Sequence, residues 1–163
     1  MEKGALISEC GRFRYRLWRR WDGALPTLAF VMLNPSTADA SEDDATVRKC
    51  IGFAKRLGYG AIEVVNLYAF RARYPSDLQA AGFPVGPDND THIEWVVAHT
   101  GRQVICAWGN NARGHTRATE VLRMLREWGV TPKALRLNAG GIPAHPVMLP
   151  YTCKPLRLRR AGD

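Results

Sequence analysis

A chain of 163 residues with 46% apolar and 23% charged side chains is long enough to enclose its own core, and its composition excludes a disordered polymer. It holds no run of about 18 consecutive apolar residues and no charged-then-apolar leader, so neither a membrane span nor export is expected and the expected location is cytoplasmic. A formal charge of +8 and a pI near 9.7 favour a polyanionic partner, since each phosphate neutralised by Lys or Arg releases condensed counterions.

In chain order, residues 5 to 9 and 12 to 18, joined by Cys10-Gly11, read as a hairpin. Arg12, Arg14 and Arg16 alternate with Phe13, Tyr15 and Leu17, so a strand would show guanidinium groups on one face and bury the other. The same charges also suit the solvated outer face of an edge strand. After a turn at Asp22-Gly23, the apolar run over 27–33 predicts a buried strand that stops at Asn34-Pro35-Ser36. Ser41 reads as an N-cap, with Asp44 three residues on, for a helix over 42–57 that carries Val47, Cys50, Ile51, Ala54 and Leu57 and ends at Gly58. A strand over 61–66 follows, then a long irregular segment. Asp88 or Asn89 could cap a helix with Ile93, Val96 and Val97 on one face. Residues 103–108 form a third buried strand. A helix over 115–128 follows, with Ala118, Val121, Leu122, Leu125 and Trp128 on one face, and 134–138 is a fourth strand. The alternation predicts one domain over residues 1–163: a three-layer α/β/α sandwich with a mainly parallel four-stranded central sheet and the hairpin added to it.

Parallel α/β sheets bind ligands beyond the carboxyl ends of their strands. Those ends present Asn34-Pro35-Ser36, Asn66-Leu67-Tyr68, Trp108-Gly109-Asn110-Asn111, and Asn138 followed by AGGIPAHPVMLPY. Four such ends together indicate a site. Each also has a local explanation: turn chemistry for Asn34-Pro35, loop capping for Asn66, helix capping for Asn110 and Asn111, core packing for Trp108. His145 sits in a loop that Gly140, Gly141, Pro143 and Pro146 shape and expose. Asp39, Glu42, Asp43 and Asp44 could ligate a divalent ion, but acids at a helix N-terminus are favoured by its dipole anyway. His92, His99 and His115 are read as surface residues. Cys10, Cys50, Cys106 and Cys153 lie far apart without local chelate spacing and read as free thiols of a reducing compartment, with a fold-assembled metal or cluster as the alternative.

Taken in order, MLNPS, VVNLYAF, AWGNNA and AHPVML resemble the motifs of the uracil-DNA glycosylase superfamily. These are GQDPYH or GxNPG after the first core strand, an Asn ending the next strand, an LLWG-like strand end, and a late HPSPLS loop. More closely, the chain resembles a bacterial family of unknown function with the signature LNPSTAD. The superfamily resemblance implies that Asn34 positions the hydrolytic water, Asn66 reads the base edge and His145 lies beside the leaving base. Ser36, Tyr68 and Trp108 complete the expected base-binding set. Arg71, Arg73, Arg113 and Lys154 are the expected DNA phosphate contacts, and Met148 and Leu149 occupy the region where the superfamily inserts an apolar wedge. The implied activity is hydrolysis of the N-glycosidic bond of uracil or a modified pyrimidine flipped out of DNA, duplex or single-stranded. No cofactor, metal, membrane or obligate protein partner is implied. Met32 stands where the motif opens with Gly, Ser36 where Tyr or Gly is usual, and the last loop lacks SPLS. Two alternatives therefore stay open: a nucleic-acid-binding module without catalysis, and a hydrolase of free nucleosides or nucleotides.

Overall fold

Strand β3 (Thr27–Met32) is apolar on both faces because it is covered on both, and it is the axis of the fold. The computed structural model describes residues 1–160. Around β3 lie β1 (Glu2–Ile7), β2 (Arg14–Arg20), α1 (Ala45–Arg56), β4 (Ala61–Asn66), α2 (Pro75–Ala80), α3 (Asn89–His99), β5 (Val104–Cys106), α4 (Thr116–Glu127), β6 (Lys133–Ala134), β7 (Leu137–Asn138), β8 (Ile142–Pro143) and β9 (Leu156–Arg157). The main sheet runs β1-β2-β4-β3-β5-β6-β9. β3 pairs in parallel with β4 and β5, and β5 with β6, whereas β1–β2, β2–β4 and β6–β9 are antiparallel.

Alternate residues of β3 serve two cores. Ala29 and Val31 pack with Ile93, Val96 and Val97 of α3 and Val121 and Leu125 of α4. Leu28, Phe30 and Met32 pack with Val47, Cys50, Ile51, Phe53 and Ala54 of α1. Helices thus cover both faces, and the period-2 alternation of one strand feeds two helix stripes of period 3.6.

The expected sheet of four strands was too small. The hairpin belongs to the sheet, because β2 pairs with β4 from Leu17↔Val64 to Arg20↔Ala61, and β9 extends the other side through Lys133↔Arg157. The architecture is α/β with a mixed sheet of seven strands. The strand expected over 134–138 is broken: Leu135 turns into the α1-side core, and β7 pairs with β8 in a separate two-stranded ribbon. The long irregular segment contains the short helix α2, begun by Pro75.

Asp44, not Ser41, caps α1: its Oδ1 accepts from Val47 N at 2.8 Å. Ser41 instead belongs to a turn in which Asp39 Oδ1 accepts from Ser41 N (2.9 Å) and Glu42 N (2.8 Å). Those two backbone donors hold the Asp39 carboxyl below its ordinary value. Arg19, fully buried, donates to Asp43 (2.7 Å) and to the carbonyls of Gly4, Trp18, Asp39 and Glu42. The acidic loop is therefore held by a buried guanidinium from β2, which sets where α1 begins. Among the described residues no group of three or more His, Cys, Asp or Glu side chains is arranged to hold a metal ion, and all four cysteines are unpaired. No helix among them is long and apolar enough to cross a membrane.

Candidate functional site

A cavity of about 340 Å³ opens beyond the carboxyl ends of β3, β4 and β5, with α1 on one side. Asn34, Ser36, Asn66, Trp108 and His145 all line it, with the exposed Arg73.

Asn66 ends β4 opposite Met32 and is 1% exposed, yet neither its Nδ2 nor its Oδ1 has a hydrogen-bond partner among the described residues. Its main chain is held firmly. Asn89 Nδ2 donates to the carbonyls of Asn66 (2.9 Å) and Leu67 (3.2 Å), and Arg117 Nε also donates to Leu67 O (2.9 Å). The backbone is thus fixed while the side-chain amide, with its NH2 donor group and its carbonyl acceptor, lines the cavity without a partner among the described residues.

Asn34 is oriented by the opposite means. Its Nδ2 donates to the carbonyls of Pro35 and Ala72, each at 2.9 Å, which turns Oδ1 away from both. His145 Nδ1 accepts from Val147 N at 3.2 Å, so the neutral ring carries its proton on Nε2. Burial lowers the pKa of this imidazole from 6.5, which favours the neutral form. The His145 loop is clasped to the end of β5. Gly109 N donates to Pro143 O (2.9 Å), and a Cβ on Gly109 would lie 3.1 Å from His145 Cβ.

Arg14 belongs to the cavity although the sequence pattern places it on an outward face. β1 and β2 pair as Leu6↔Arg16 and Ile7↔Arg14, leaving Tyr15 as the extra residue of a bulge. Without it Arg14 and Arg16 would share a face. With it, Arg16 lies 3.9 Å over the Trp95 ring and bonds Glu63 at 2.6 Å, while Arg14 lines the cavity at 3% exposure and donates from Nη1 to Ala38 O (2.8 Å). Its Nε has no hydrogen-bond partner among the described residues. Desolvation draws its pKa down to about 10, so it remains charged at neutral pH. Periodicity could not have found it; a bulge is invisible to a period-2 count. Cys50 also lines the cavity, but burial pushes its thiol up, leaving it a neutral wall rather than a nucleophile.

Other expected residues are placed elsewhere. Tyr68 is not in the cavity: its hydroxyl meets His115 Nδ1 at 2.8 Å, and its ring packs in the α3 and α4 core. Two residues beyond Asn66, it would share that residue's face if the strand continued, but β4 ends at Asn66 and Tyr68 joins Val65 and Leu67 on the opposite side. Leu149 is 2% exposed in the α1-side core and cannot act as a wedge, whereas Met148, 86% exposed, projects from the turn after His145. Arg113 does not line the cavity; its Nη2 donates to Asn110 Oδ1 (3.3 Å) and Ala139 O (3.0 Å). Asn110 and Asn111 do line the cavity, but from a 3-10 turn, and do not cap α4, which starts after His115. Lys154 is exposed on the C-terminal segment. Arg71 lines an adjoining open groove of about 570 Å³ with Arg12 and Arg73; this groove shares Ser36, Ala72 and Arg73 with the cavity, and among the described residues no carboxylate lines it.

Neither a curated protein nor a solved structure matches this chain. Residues 14–147, which span every strand end that lines the cavity, match the family model described as Protein of unknown function (DUF1643), and the chain belongs to that family.

Proposed function

We propose that this chain is a glycosylase-like hydrolase that cleaves the N-glycosidic bond of uracil or a modified pyrimidine flipped out of DNA, with the base lodged in the cavity at the strand ends. The observation that carries this reading is the Asn66 amide. A buried, unpartnered donor and acceptor costs roughly 1–3 kcal/mol per group, and a planar ligand edge with a complementary donor and acceptor removes that cost on binding. A pyrimidine's pairing edge has that pattern.

The reaction breaks C1′–N with its electron pair leaving on the base, while a water oxygen bonds to C1′ and the water's proton ends on the base. Asn34 Oδ1, turned away from the carbonyls its Nδ2 serves, suits accepting a hydrogen bond from that water, orienting without deprotonating it. His145 Nε2–H suits donation to a base carbonyl as negative charge grows there. Trp108 and Ser36 line the walls. Arg71 and Arg73 in the adjoining groove are the phosphate contacts, and Met148, rather than the buried Leu149, is the apolar tip.

A second reading, a binding module without hydrolysis, is favoured by one observation. Among the described residues Asp44 is the only carboxylate lining the cavity, and its Oδ1 already caps α1. Incubation with uracil-containing duplex and single-stranded oligonucleotides, followed by an assay for abasic sites, separates the two. Hydrolysis predicts abasic product that falls about 100-fold in His145→Ala. Oligonucleotide binding without product across a panel of altered pyrimidines supports the binding module instead.

A further inference from the structure

The cavity contains a second undischarged group. Arg14 reaches it only because Tyr15 bulges out of the β1–β2 ladder, and a bulge costs a ladder position. The guanidinium it delivers is 97% removed from solvent, is bonded through Nη1 to a single carbonyl, and makes no ion pair among the described residues. Arg19, its buried neighbour on the same strand, is saturated by five bonds including a carboxylate. The contrast is chemical: Arg19 is bonded to the carboxylate of Asp43, whereas Asp44 and Asp39 act on Arg14 through space without a bond. A desolvated guanidinium with an open Nε is best satisfied by an anionic oxygen.

We infer that Arg14 is the anion-recognising group of this cavity, so that a ligand setting a base edge against Asn66 also presents an anionic oxygen to Arg14 Nε. This rests on the reading of the cavity as a base pocket. The anionic oxygen can belong to an ionised pyrimidine ring or to a phosphate on the attached sugar. Both are oxyanions adjoining a donor–acceptor edge.

Calorimetric titration of the full chain with two matched pairs tests it: uracil against 5-nitrouracil held at a pH where its ring is ionised, and uridine against uridine 5′-monophosphate. The inference expects at least one anion to bind about tenfold more tightly than its neutral parent. That preference is expected to vanish in Arg14→Met and to survive in part in Arg14→Lys. The pair showing it identifies the source of the oxyanion, and the absorbance of bound 5-nitrouracil reports its ionisation independently of heat. Equal affinity within both pairs in the unaltered protein overturns the role of Arg14 and leaves the base pocket standing. So does a preference untouched by Arg14→Met. Failure of all four compounds to bind overturns both. The comparison within the unaltered protein keeps the test decisive even where Arg14→Met folds poorly.

Discussion

Asn89, buried in the first turn of α3, donates its side-chain amide to the main-chain carbonyls of Asn66 and Leu67. The two carbonyls stand just where β4 leaves the sheet, so a helix residue completes the hydrogen bonding that the ladder no longer supplies. That support lets Asn66 keep its own amide out of the structure's bonding.

Replacing Asn89 with Leu leaves the carbonyl of Asn66 buried and without its donor, while Leu67 O keeps Arg117. The expected loss is about 1–3 kcal/mol of unfolding free energy, measured by urea denaturation. An unchanged midpoint would show that the β4 end does not depend on this bond.

At Asn66 itself the sign reverses. Asn66→Leu removes two buried polar atoms that no described residue satisfies and puts in a side chain of the same branching, with its extra bulk directed into the open cavity, so stability is expected to rise by about 1 kcal/mol while ligand binding is lost. Destabilisation together with intact binding would contradict the assignment of this amide to a ligand.

Gly109 occupies φ 80°, ψ −178°, a region nearly confined to glycine, and its missing Cβ leaves room for the His145 loop. Gly109→Ala is expected to cost about 1–3 kcal/mol and to lower activity beyond what the lost folded fraction explains, because the imidazole is displaced. Kinetics at a temperature where the variant is fully folded, checked by circular dichroism, isolate the second effect.

His145 and His92 both have pKa values lowered by burial, with Arg16 adding to the effect at His92. Between 6.5 and the folded-state values, the unfolded chain binds protons that the folded chain does not. Stability is therefore expected to be full above pH 6.5, to fall as pH drops through the unfolded value, and to level off below the folded ones. Urea midpoints from about pH 7.5 to about pH 5 test this, and His145→Asn is expected to flatten the decline.

What the sequence determined by itself is local. Apolar runs at 27–33 and 61–66 formed buried strands, and the 3.6-residue stripe carrying Val47, Cys50, Ile51 and Ala54 formed α1, because both signals arise from which face must leave water. Reading polar residues at strand ends was enough to name Asn34, Ser36, Asn66, Trp108 and His145, which line one cavity. Tertiary structure alone decided the rest. A one-residue bulge turned Arg14 inward, and side-chain direction within a strand depends on register with a partner that the strand's own sequence does not specify. Long-range bonds decided that Asn89 braces β4, that Tyr68 faces His115 and that Leu149 is core. The seven-stranded sheet likewise required β2 to find β4, and β9 to find β6, across wide gaps in the chain. Such pairings are settled by which buried polar and apolar groups can be satisfied together, a condition on the whole fold that no window of sequence contains.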